Sequence, residues 1–105
     1  MKPKPVVLRA AADGDVDAAF GHYLSTAGAG VAVAFIDALE AAYLHLSRHH
    51  ATGSPRYALK LDIPGLRSWP LGRFPYLVFY FDMPHAVEVV RVLHGAMDLP
   101  EWLDC

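Results

Sequence analysis

Apolar residues change their spacing along this chain, and the changes mark its elements. Pro5-Val6-Val7-Leu8-Arg9-Ala10 is short and β-branched, bounded by proline on one side and an Ala/Asp/Gly stretch on the other, which predicts a strand over residues 5–10. Val16, Ala19, Phe20, Tyr23, Leu24 and Ala27 then recur on one helical face. Asp13 or Asp15 offers an N-cap, so a first helix is predicted over residues 14–27. Gly28 and Gly30 interrupt the pattern. Beyond them Ala32, Phe35, Ile36, Leu39, Ala42, Tyr43 and Leu46 form a continuous stripe, with Asp37, Glu40 and Arg48 off it, which predicts an amphipathic second helix ending near His49. Two helices joined by a short glycine-containing link make a hairpin.

The second half has the two-residue period of strands. Residues 50–55 carry loop chemistry, Tyr57 to Leu61 fits neither pattern, and Pro64-Gly65 is a turn signal. Leu66 to Leu71 predicts a strand whose Pro70 lacks a ladder donor and belongs at an edge or a bulge, with Arg67 and Trp69 on one face. Turns at residues 72–75 and 82–85 separate two more strands, Tyr76 to Phe81 and Val87 to Leu93. These are apolar on both alternating faces, so the helical hairpin is expected to bury one face and something else, such as a protein partner, the other. A short turn or helix is expected from Asp98 through Leu103. The order β-α-α-β-β-β predicts an α+β two-layer fold, a helical hairpin packed on a mainly antiparallel sheet, as a single domain over residues 1–105.

Composition narrows the class. A chain of 105 residues with 54% hydrophobic content can fill a core without disulfide or metal. The one cysteine, Cys105, cannot form an internal bridge, which suits a reducing compartment. Val6-Val7-Leu8 is too short for a secretory h-region, and the apolar run Pro75 to Phe81 is far below the roughly 20 residues of a membrane helix, so a cytoplasmic location without membrane contact is expected. The net charge of -2 supplies no general basic field for nucleic acid. Its distribution is uneven: Asp13, Asp15, Asp17, Asp37 and Glu40 precede Arg48, Arg56, Lys60, Arg67, Arg73 and Arg91, which predicts one acidic and one basic surface.

Few residues suggest chemistry. His94, with Asp98 four positions on and Arg91 three before, could form an acid/base cluster, or Asp98 could cap a turn while His94 bonds local backbone. Arg67, Arg73 and Arg91 come from three successive strands or their ends and would make a phosphate or carboxylate pocket if they converged. His45 and His49 have the spacing of metal ligands, with His50 beside them, but no third ligand is evident and cations suit a helix C-terminus, so neither metal nor cofactor is expected. Trp69 and Trp102 are interface anchors or packing residues.

The element order, the segment from Gly65 to Arg73, the strand Tyr76-Leu77-Val78-Phe79-Tyr80 and the strand end Arg91-Val92-Leu93-His94 followed by Met97-Asp98 resemble the ParE/RelE toxin superfamily, and its ParE branch most closely. Family members often carry arginine where this chain has Ala96 or Met97. The resemblance implies a non-enzymatic toxin of a type II toxin-antitoxin pair that binds DNA gyrase and is neutralised by a ParD-like antitoxin, with DNA contacted only through the antitoxin complex. Expected antitoxin contacts are Phe20, Tyr23, Leu24, Arg67, Trp69 and Arg73; expected target contacts are His94, Met97, Asp98 and Trp102. A RelE-type ribosome-dependent endoribonuclease is the alternative, with Arg67, Arg73, Arg91 and His94 as its active shell, and a degenerate toxin that only binds antitoxin is a third.

Overall fold

The computed structural model describes residues 2–95. Its elements run β1 (Val6–Leu8), α1 (Ala10–Ala27), α2 (Ala29–Arg48), α3 (Arg56–Lys60), β2 (Leu66–Leu71), β3 (Phe74–Asp82) and β4 (Val87–His94). The four strands form one sheet in the order β1-β4-β3-β2, antiparallel except for β1, which lies parallel to β4. This is the predicted α+β arrangement. The turn or helix expected from Asp98 onward lies outside the described residues.

The helices differ from expectation at their ends. α1 begins at Ala10, not at residue 14, because Ala10, Ala11 and Ala12 have the best helix propensity although they carry no amphipathic stripe. Its N-cap is Arg9, without a side-chain cap, so neither Asp13 nor Asp15 fills that role. Gly28 alone links the helices at φ 92°, a conformation that favours glycine, and Gly30 is already inside α2. By length and composition α2 is apolar enough to cross a membrane, but Phe35, Leu39, Ala42 and Leu46 are buried in the core. There they meet Val78, Tyr80, Val87, Val89 and Val92 from the sheet and Ala12 and Ala19 from α1.

A second, smaller core lies apart from the first. Leu66, Phe79 and Leu93 are buried there with Tyr57, Ala58 and Ile63 packed on them. The something else that covers these apolar residues therefore includes the chain's own α3 and the segment after it, and the ambiguous stretch from Tyr57 to Leu61 is largely this helix.

β2 is an edge strand, as Pro70 predicts, and the register shift beside Pro70 adds the bulge. Its outward side is closed in three ways. The Leu66 N–H donates to Ile63 O at 3.2 Å, Ser68 exchanges two backbone bonds with Ser54, and Pro70 has no donor. β3 begins two residues earlier than expected, at Phe74, so the turn from β2 is only Gly72 and Arg73, with Gly72 at φ 75°.

Candidate partner-binding site

The segment that carried the resemblance is held from behind. β4 is eight residues long, whereas β1 pairs only with Val87, Glu88 and Val89, and among the described residues no other strand lies along that side. Asp15 of α1 fills the place. Its carboxylate accepts from Arg91 Nε at 2.8 Å, from Arg91 Nη2 at 2.7 Å and from the Val92 N–H at 3.0 Å. A register shift beside Phe79 leaves Val90 as an extra residue on β4 at this point. Asp15 lies between the buried Ala12 and Ala19 on the inward arc of α1, a placement that only the burial of those alanines reveals.

The other candidate residues are dispersed. Arg67 Nη1 donates to Gly53 O at 2.7 Å, near the start of β2. Arg73 lies in the turn beyond the other end of β2, with its guanidinium over the Phe74 ring at 5.8 Å. His94 pairs across the sheet with Tyr76, the rings edge-on at 5.3 Å. Arg67, Arg73, Arg91 and His94 thus do not form one cluster. Met97, Asp98 and Trp102 lie outside the described residues.

Near the hairpin tip, Tyr23 packs against Phe35, Phe74 and Tyr76 with ring centroids 5.3 to 6.2 Å apart, so much of it serves the core. Phe20 is partly exposed and Leu24 is 47% exposed. Val31 and Val33 on α2 are exposed as well, so this hairpin presents apolar surface outward.

A groove of about 440 Å³ opens between α2 and β2. Ala38, Ala41 and Ala42 form one side, Pro70, Leu71 and Gly72 the other, and Trp69 and His45 stand between them. The small alanines leave room for a partner's backbone to approach. The Trp69 indole stacks on His45 with centroids 4.1 Å apart and planes inclined by 18°. Sequence reasoning marked Trp69 but missed the groove, because Ala38 and Ala41 looked like ordinary helix formers.

The three histidines at the end of α2 diverge. His45 faces Trp69, the His49 ring lies 5.1 Å from that of His45, and buried His50 donates from Nδ1 to Asp82 Oδ2 at 3.0 Å. Lys4 Nζ reaches the other oxygen of Asp82 at 2.7 Å. Burial alone would push the Asp82 carboxyl up, but the hydrogen bonds and charges of Lys4 and His50 hold it below the usual carboxylate range. Burial raises the Tyr80 hydroxyl, against the opposing effects of Gly53 and Arg67. That hydroxyl accepts from the Gly53 N–H and donates to His50 O, both at 2.9 Å. Among the described residues no group of three His, Cys, Asp or Glu side chains could hold a metal ion.

A helical hairpin on a mixed four-stranded sheet, with an Arg-Val-Leu-His strand end anchored to the first helix, defines a small α+β domain of the ParE/RelE toxin class. The family model described as the ParE toxin of the type II toxin-antitoxin system, parDE, matches residues 6–99. The chain belongs to that family and is a ParE-type toxin of a ParDE toxin-antitoxin system. Among solved structures, a chain of the chromosomal ParDE TA system from P. aeruginosa shares the fold, with TM-score 0.74 and 19% identity over 90% of this chain and 98% of that one. No curated protein matches this sequence.

Proposed function

We propose that this toxin acts by binding and not by bond cleavage: it engages DNA gyrase in the cytoplasm and is neutralised by a ParD-like antitoxin, through which alone it contacts DNA. The family match over residues 6–99 carries the reading. Two features of the geometry support it. A phosphodiester cut needs concentrated positive charge at the reacting phosphate, yet Arg67, Arg73, Arg91 and His94 are spread along the sheet and both Arg67 and Arg91 hold parts of the fold together. The molecule also presents apolar surface suited to a protein partner, in the α2/β2 groove and along the hairpin.

The antitoxin lies across that surface, with Phe20, Leu24 and the exposed edge of Tyr23 at the hairpin, Trp69 in the groove, and Arg73 and Arg67 at the two ends of β2. Closure of the outward side of β2 favours a helix over an added strand at this groove. His94, with Met97, Asp98 and Trp102 beyond it, forms the surface for gyrase. Purified toxin assayed against gyrase supercoiling, beside an assay for cleavage of ribosome-bound message, tests the reading. Supercoiling should fall with added toxin and recover with the antitoxin. Message cleavage with unaffected supercoiling would overturn it.

A further inference from the structure

Side chains along a strand alternate between the two faces of a sheet, and β4 breaks that alternation once. Val87 and Val89 belong to the larger core beneath the hairpin, and Val90 packs on the smaller core. Strict alternation would turn Leu93 toward the hairpin and His94 away from it. Instead Val92 lies in the larger core and Leu93 in the smaller. The cause is Val90, the extra residue at the register shift: Tyr80 faces Val89, but Phe79 faces Arg91. From there Val92, Leu93 and His94 face Val78, Leu77 and Tyr76. His94 therefore emerges on the hairpin side, its ring edge-on to Tyr76, which packs in turn on Tyr23 and Phe35.

The ladder to β3 does not by itself require this. A register without the extra residue, with Phe79 opposite Val90 and Tyr76 opposite Leu93, keeps the antiparallel bonding pattern and turns every later side chain to the other face. Val92 and Leu93 are both apolar and would exchange cores. Asp15 acts where the two registers part. Its carboxylate takes the Arg91 guanidinium at two points, 2.8 and 2.7 Å, and the Val92 N–H at 3.0 Å, and these are the first two residues after the extra one. A two-point charged bond fixes direction as well as distance. Combined with a bond to the next backbone N–H, it sets both where the strand runs and how it is turned about its own axis. Further on, the Gly95 N–H donates to Pro75 O at 2.8 Å, so the face set at Arg91 is carried to the end of the strand.

We infer that Asp15 is a positioning residue for the toxin's target surface: from α1 it holds the bulge in β4 and so fixes the hairpin-side face on which the strand end presents His94. This rests on the reading that His94 belongs to the surface for gyrase. Phe20 and Leu24, expected to meet the antitoxin, lie further along the same helix, so loss of Asp15 separates the two activities: target binding weakens while antitoxin binding stays.

The test compares two acid-to-amide changes at opposite ends of β3. Asp15→Asn withdraws charge from Arg91, whereas Asp82→Asn weakens the contacts to Lys4 and His50 beside the strand's other end. At a temperature where circular dichroism shows both folded, half-inhibition of supercoiling should need about tenfold more Asp15→Asn toxin and less than about twofold more Asp82→Asn toxin. Antitoxin affinity should stay within about twofold in both. Proton NMR supplies a readout that lost stability alone does not move, since the His94 ring lies in the ring-current field of Tyr76. Its ring-proton resonances should shift in Asp15→Asn and stay in place in Asp82→Asn. Asp15→Glu keeps the charge but displaces the carboxylate by one methylene; it should shift the same resonances and weaken inhibition about threefold even where Asp15→Asn does not fold. Unmoved His94 resonances, shifted resonances with undiminished inhibition, or equal losses of inhibition in the two amide variants each overturn the inference and leave the gyrase reading standing. Unaltered toxin that leaves supercoiling untouched overturns the gyrase reading, and the role of Asp15 at that surface with it.

Discussion

Asp15 accepts three hydrogen bonds from Arg91 and Val92, and the ion pair is nearly enclosed, each side chain being 13% exposed. Neutralising Asp15 withdraws its charge from the nearly enclosed Arg91 guanidinium and weakens the bond to the Val92 N–H, which costs more than the pair itself contributes. Asp15→Asn should therefore lower unfolding stability by about 2–3 kcal/mol in urea titration. Asp17→Asn, at an exposed position on the same helix, should stay within about 0.5 kcal/mol. Equal losses would show that α1 responds to lost acidic charge and not to the Arg91 anchor. Gly53 makes a second prediction at this scale. A Cβ there would overlap the Tyr80 hydroxyl and ring, and Tyr80 is fully buried. Gly53→Ala should cost more than Tyr80→Phe, which leaves the Gly53 N–H and His50 C=O short of a partner at about 2 kcal/mol. The reverse order of thermal midpoints would mean that the loop moves aside freely. Neither role was legible in the sequence. Asp15 is one of several acids near a helix start, and Gly53 stands in a run of ordinary turn residues; only tertiary placement distinguishes them.

Legibility improves with the length of an element. α2 repeats its apolar stripe over about four turns, and residues as far apart as Ala32 and Leu46 are buried as that stripe predicts. α3 has five residues, too few to show a period, and its apolar partners lie in β2, β3 and β4. The candidate site divides the same way: Trp69 and Leu24 stand out as large apolar residues at edges, whereas the alanines opposite Trp69 become a groove only once β2 is laid beside α2. What α3 contributes can be measured. Tyr57 meets Phe79 edge-on at 5.3 Å over the smaller core, while Leu59 on the same helix is 86% exposed. Tyr57→Ala should cost about 2–3 kcal/mol and increase binding of a hydrophobic dye, whereas Leu59→Ala should be close to neutral. Similar denaturation midpoints for the two variants would mean that α3 is not a lid on that core. Among the described residues the hairpin exposes Leu24, Val31, Val33 and Leu44, and the α2/β2 groove lies beside it.

On the scale of the whole molecule, Asp82 joins parts of the chain that are far apart in sequence. Lys4 exchanges two bonds with Ser47, its N–H donating to Ser47 O and its carbonyl accepting from the Ser47 hydroxyl, which ties the N-terminal segment to the end of α2. Its ammonium also reaches Asp82 and Met83 O at the end of β3, while His50 approaches Asp82 from the loop after α2. The folded structure holds this carboxyl below its ordinary value of 3.8 despite the opposing effect of burial. Such a group contributes its full stability above the unfolded-state pKa and loses that contribution as pH falls through the lower folded-state value. Asp82→Asn should therefore cost about 2 kcal/mol near neutrality, and the difference from the unaltered toxin should close as pH falls through the lowered folded-state value. Lys4→Met should give a smaller gap that closes over the same acid range, because its effect passes through the same carboxylate. Urea midpoints measured from neutral pH into acid would show both. A gap for Asp82→Asn that persists undiminished at the acid end would mean that shape and not charge joins the N-terminal segment to the sheet.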